Sequence, residues 1–189
     1  MRIHRDMVIE TASRIADERG LSGVSLKAVA QELGIRTPSL YNHIDSLDGL
    51  LLLVAHGGMR RMNEEMMHAA LGNAGEDALC RVAEAYLEYM TVHPGVYETI
   101  QWATWHGTEE TGAIFAEYEK LLTTLLYSCG FTKEQVQEGC RILMGLLHGY
   151  TTLQLSRAFT DAAAVKKELN REAAGGSGNI YGRPRRNQK

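Results

Sequence analysis

The sequence predicts an all-α fold. Apolar residues recur at helical spacing in nearly every segment, no run alternates in the manner of a strand, and glycine or proline punctuates each change of phase. At 189 residues the chain can hold one large domain or a small one joined to a larger one, with ample apolar content for a core. The longest apolar block is residues 50 to 55, and Arg2, His4, Arg5, Asp6 and Glu10 interrupt the N-terminus, so neither a membrane span nor a signal peptide is expected. Cys80, Cys129 and Cys140 are odd in number, widely spaced and set in apolar helical patterns. They suit buried thiols in a reducing cytoplasm.

The net charge of −3 is unevenly spread: residues 1 to 50 carry six basic and seven acidic side chains, residues 51 to 165 seven and fourteen, and residues 166 to 189 seven and two. The acidic excess sits in the middle, so the whole-chain charge does not argue against a nucleic-acid-reading module at one end.

The first helix is expected over residues 5 to 19, with Val8, Ala12, Ile15 and Ala16 on one face and Gly20 ending it. Ser25 is the N-cap of a second helix, which places Leu26, Val29, Ala30 and Leu33 on one face before Gly34. A short third helix has Thr37 as cap, Pro38 in its first position and Leu40 and Ile44 pointing inward. Ser46 caps a long fourth helix reaching Ala70, and Gly72-Asn73-Ala74-Gly75 breaks the chain after it. The stripe Leu79, Val82, Ala83, Tyr86, Leu87 and Met90 marks a fifth, stopped by His93-Pro94, and a short helix spans about 95 to 104. Thr108 caps the next, whose stripe from Ile114 to Leu125 ends at Gly130. Thr132 and Gln135 form a capping box, with Phe131 and Val136 as its hydrophobic staple, and that helix should reach Arg157. A last helix is expected over 161 to 173. Residues 174 to 189 read as a disordered tail or an expression remnant.

Residues 25 to 45 meet the requirements of a helix-turn-helix in order. Ala30 is small where two helices approach, Gly34 suits a left-handed turn, Ile35 plugs the angle, and Leu40 and Ile44 anchor the second helix. That leaves Pro38, Tyr41 and Asn42 facing outward, flanked by Ser39 and His43. Asn42 has the groups to read adenine, Thr37 and Ser39 to contact bases or phosphates, and Tyr41 and His43 to bond backbone oxygens. Arg36, Lys27 and the Arg2 to Arg5 segment supply positive charge nearby. Two short amphipathic helices joined by glycine also occur in proteins that never touch nucleic acid, so the pattern alone leaves DNA binding open.

The run Val24-Ser25-Leu26-Lys27-Ala28-Val29-Ala30-Gln31-Glu32-Leu33-Gly34-Ile35, followed by Pro38-Ser39-Leu40-Tyr41-Asn42-His43-Ile44, resembles the signature of TetR-family transcriptional regulators. The likeness covers residues 5 to about 55 and extends to the architecture behind them. It implies a DNA-binding domain (residues 1 to 46), a ligand-binding and dimerisation domain (47 to 173), and a homodimer that binds a palindromic double-stranded operator, as a repressor, and is released by a small molecule. By position in the motif, the resemblance implies DNA contacts from Lys27, Arg36, Thr37, Pro38, Ser39, Tyr41, Asn42 and His43. Members often carry a lysine near the start of the fourth helix, and Ser46-Leu47-Asp48-Gly49 has none.

A ligand-sensing member needs a mainly apolar cavity with a few polar groups. Candidate lining residues are Met62, Met66, Tyr86, Met90, Tyr97, Trp102, Trp105, His106, Phe115 and Tyr118, although such stripes at helical spacing also serve as plain core. Gly139, Gly145 and Gly149 inside one long helix point to close approach of a partner helix. Leu143, Leu147 and Tyr150, with Val165 and Leu169, are the expected four-helix dimer interface. His148-Gly149 also resembles a His-Gly pair in one branch of the family's C-terminal domains. No cofactor is implied, no Cys/His pair has zinc-like spacing, and H-E-x-x-H, P-loop, Rossmann and nucleophile-elbow motifs are all missing, which disfavours an enzyme. A DNA-binding dimer that senses no ligand is the remaining alternative.

Overall fold

The computed structural model describes residues 3–158. Among these the chain forms seven α-helices, two short 3-10 segments and no strand. Helix α1 (Arg5–Arg19) buries Val8, Ala12, Ile15 and Ala16, the face its spacing predicts, and ends at Gly20, whose φ of 73° a side chain would resist. After a 3-10 turn at Leu21–Gly23 comes α2 (Leu26–Glu32), whose first turn is closed by Ser25 Oγ accepting from the Ala28 N–H at 3.1 Å.

The expected third helix is instead a 3-10 segment, Thr37–Asn42. The segment is six residues long, set between the turn at Gly34 and the cap at Ser46, and a tighter winding of three residues per turn suits so short a span. The tighter period sorts its side chains cleanly. Leu40 is fully buried with Thr37 and His43 half-buried on either side of it, whereas Pro38 and Tyr41, also three apart, are exposed.

Helix α3 (Leu47–Ala70) starts where Ser46 Oγ accepts from the Gly49 N–H at 2.9 Å and ends at the expected residue. It is the central strut, packed against α1, α4, α5 and α6, and it carries the core residues Leu50, Val54, Met59 and Met66. Helices α4 (Gly75–Val92) and α5 (Pro94–His106) follow, separated by His93 where proline stops the first and opens the second. The N–H of Thr108 donates to Thr111 Oγ1 at the start of α6 (Glu109–Ser128). Thr132 and Gln135 close the capping box of α7 (Lys133–Leu155): the Thr132 N–H donates to Gln135 Oε1 at 2.9 Å and the Gln135 N–H to Thr132 Oγ1 at 3.4 Å. The helix expected over 161 to 173, with Val165 and Leu169, and the tail from 174 lie outside the described residues. No helix among the described residues is long and apolar enough to cross a membrane.

Candidate functional site

The reading head is built by α2, the turn at Gly34 (φ 68°) and the 3-10 segment. The Ile35 N–H donates to the Ala30 carbonyl at 2.9 Å across the turn, and Val29, Ala30, Leu40 and Ile44 are buried beneath it. Lys27, Arg36, Pro38, Tyr41 and Asn42 are exposed, and Thr37, Ser39 and His43 are half-buried. Among the described residues, no side-chain hydrogen bond or ion pair occupies the polar members of this set. Arg14 and Arg19 behave differently. Arg14 pairs with Glu18 at 3.0 Å and Glu32 at 2.9 Å, and Arg19 with Glu32 at 2.7 Å, so their charge is spent inside the domain. A row of uncommitted donors and acceptors on a rigid base is what a DNA groove requires of a protein surface.

Behind the head, α3, α4, α5, α6 and α7 surround a cavity of about 370 Å³. Six residues singled out from the sequence line it: Met62, Tyr86, Met90, Trp105, Phe115 and Tyr118. Four others do not. Met66 is fully buried in the core, and Tyr97 is turned toward α7, where its hydroxyl lies 2.7 Å from Thr152 Oγ1 and donates to the His148 carbonyl at 3.2 Å. Trp102 and His106 stack on each other one turn apart (centroids 4.6 Å), away from the cavity wall that α5 forms with Ile100, Gln101, Thr104 and Trp105. Met59, Met144, Gly145 and His148 complete the lining. Met59 was legible as the residue one turn before Met62, whereas the residues of α7 were hidden because that helix reads as an interface. Among the described residues, no Asp, Glu, Lys or Arg lines the space.

The same helix corrects the expected dimer residues. Leu147 and Tyr150 are buried inside the protomer and Leu143 is half-buried, because α7 turns this face toward its own bundle. Its outward face instead carries Ile142, Leu146 and Leu153, each 44–49% exposed. A side chain added at Gly149 would meet open space, so this glycine is not explained by packing within the protomer, whereas Gly145 borders the cavity.

Head and cavity are tied through α5. Asp17 of α1 accepts from the Gly95 and Val96 N–H groups at 3.0 and 3.1 Å, capping α5 from a neighbouring helix, and it also lies 2.9 Å from His93 Nδ1. Glu98 accepts from the Leu21 N–H at 2.6 Å. At Gly95 a Cβ would run into the backbone of Ala16 and Asp17, so only glycine lets the two helices approach this closely. On the other side of α3, buried His56 holds Thr111 Oγ1 at 2.8 Å, with Glu110 3.5 Å from its Nδ1.

Two family models match the chain: residues 8–54 match bacterial regulatory proteins of the tetR family, and residues 79–174 match the tetracyclin repressor-like C-terminal domain. An uncharacterised HTH-type transcriptional regulator of Bacillus subtilis, YobS, is 32% identical over 165 residues, covering 87% of this chain and 85% of the relative. Among solved structures, the TetR-family regulator PfmR from Thermus thermophilus superposes with a TM-score of 0.71 at 20% identity, covering 88% of this chain and 96% of that one. BioQ bound to its natural double-stranded DNA operator gives 0.67 at 19% identity, with 92% and 99% covered. The matched segments contain the reading head at one end and most of the cavity-forming helices at the other, and the relatives are regulators rather than enzymes. The chain belongs to the TetR family of DNA-binding transcriptional regulators.

Proposed function

We propose that this regulator is a cytoplasmic homodimeric repressor that holds a palindromic operator and lets it go when a small molecule fills the cavity. The observation that carries this reading is the shared use of α5. Its N-terminal end is fastened to α1 of the reading head through Asp17 and Glu98, and its C-terminal half is a wall of the cavity. An occupant that displaces Ile100, Gln101 or Trp105 therefore pushes on the element that positions the head.

The operator contacts are assigned to Lys27, Arg36, Thr37, Pro38, Ser39, Tyr41, Asn42 and His43, which share the free surface of the head. The dimer is assigned to the apolar outward face of α7, with Ile142, Leu146 and Leu153 around Gly149, whose missing side chain allows a partner helix close approach. Two heads in such a dimer would need a separation of about 34–36 Å to enter successive major grooves.

Selection of bound DNA from a random pool by the purified protein, at fixed salt, tests the reading. Enrichment of a two-fold symmetric sequence is expected. That sequence then serves as the probe for screening small molecules, an effective one weakening it roughly five- to 150-fold. Enrichment of a single asymmetric half-site, or an operator held equally tightly when the cavity is saturated, would overturn the dimer or the ligand response respectively.

A further inference from the structure

The chemistry of the cavity narrows its occupant, given the reading that it is the effector site. The wall is mostly apolar and polarisable: Met59, Met62, Met90, Met144, Ile100 and Phe115. Its deep polar groups are Tyr86 and Tyr118, 5% and 4% exposed, with rings stacked 6.0 Å apart and 16° from parallel. Neither hydroxyl has a hydrogen-bond partner among the described residues. Burial pushes both phenols above their ordinary range, so each keeps its proton and stays a donor at any physiological pH. At the mouth are Gln101, Thr104 and His148, the imidazole shifted toward its neutral form by desolvation.

We infer that the cavity takes an uncharged, largely apolar molecule whose inner end carries a carbonyl-type oxygen, received by the hydroxyls of Tyr86 and Tyr118. A carbonyl oxygen has two lone pairs and can accept from both phenols with nothing of its own left unpaired, whereas a ligand hydroxyl that accepts from both keeps an O–H that needs an acceptor of its own. An unpartnered phenol in an apolar wall loses its water when an occupant arrives, so a hydrocarbon end leaves both donors unsatisfied. A carboxylate or ammonium finds no opposite charge among the described lining residues and would be buried unpaired, at a cost of several kcal/mol. Gln101 and His148, whose side chains lie 3.3 Å apart, are the polar groups of the open end, the side on which Trp105 is 85% exposed.

The test uses four probes of one shape: 2-acetylnaphthalene, 2-ethylnaphthalene, 2-naphthoate and 2-(aminomethyl)naphthalene, titrated by calorimetry into the full-length protein and into Y86F, Y118F and the double variant. These substitutions remove an oxygen and keep the rings. The ketone is expected to bind best, each single variant to weaken it about fivefold, and the double variant to abolish its advantage over the ethyl compound, whose own affinity rises there because no buried phenol is left without a partner. Tighter binding of the carboxylate or the amine would overturn the inference while leaving the cavity an effector site. An unchanged ratio of ketone to ethyl affinity in the double variant would do the same. Failure of all four to bind would overturn both the inference and the effector-site reading.

Discussion

Single residues in this chain act where two elements touch. Gly95 lets α5 lie against the backbone of α1, and a methyl group there must force the two helices apart. Gly95→Ala is therefore expected to destabilise the fold by about 1–3 kcal/mol through overpacking. Gly112, exposed in α6 with open space around it, should respond oppositely. Its replacement by alanine is expected to add about 0.5–1 kcal/mol from helix propensity. Urea melts of the two variants beside the parent measure both signs, and equal effects would contradict the close approach. His56 gives a pH dependence. Burial lowers its pKa, with Glu110 opposing and Arg60 adding to the shift. In the window below the ordinary histidine value of about 6.5 the unfolded chain binds the proton and the folded one resists it, so stability falls as pH drops. Between pH 7.5 and 5, above the carboxylate range where Glu110 titrates, His56→Gln is expected to show a shallower loss than the parent. Parallel curves would refute this assignment.

At the scale of elements, caps and breaks were the most legible feature of the sequence, because each rests on local chemistry. Ser25, Ser46, Thr132 with Gln135, and the Pro94 stop all function where the sequence puts them. The 3-10 winding of Thr37–Asn42 was not legible. Leu40 and Ile44 sit at a spacing that an α-helix accommodates equally well, and only the packed length between Gly34 and Ser46 selects the tighter coil. Rotation about a helix axis was the other blind spot. The stripe of α7 shows which residues are apolar, yet two apolar faces compete on it, and the bundle claims Leu147 and Tyr150 while leaving Ile142 and Leu146 outside. Cavity residues were read only in part for the same reason, since on α5 a shift of one position separates Trp105 at the wall from His106 away from it. The reading head yields a prediction that separates its members. Lys27→Ala is expected to weaken all DNA sequences alike and reduce the salt slope by about one, while Asn42→Ala costs about 1–3 kcal/mol only on the preferred site. Competition binding at several salt concentrations distinguishes them, and a sequence-independent loss for Asn42→Ala would remove it from base reading.

For the whole molecule, the outward face of α7 and the α5 link give separate handles on assembly and signal. Ile142→Glu with Leu146→Glu places two charges on a face already exposed in the protomer, so the fold should persist while the dimer is lost. Sedimentation should then show a monomer that melts as an intact fold, and a dimer of unchanged strength would exclude this face.

The link makes a finer demand. Helix α5 is 13 residues long, about 20 Å from end to end, and touches the reading head at one end and the cavity at the other. If displacement travels along it, removing a fastening at the head end should reduce the effect of ligand on DNA without reducing ligand affinity. Glu98→Ala deletes the bond to the Leu21 N–H and leaves every cavity residue in place. Free ligand affinity should stay within about twofold, while the change in operator affinity on saturation shrinks by roughly 1 kcal/mol, about fivefold. Linkage requires the same shrinkage in the reverse measurement, the effect of operator on ligand affinity. An unchanged coupling in Glu98→Ala would leave the signal to the Asp17 fastening of α5 or to α3, which lines the cavity with Met59 and Met62 and is capped by Ser46, four residues beyond the reading segment.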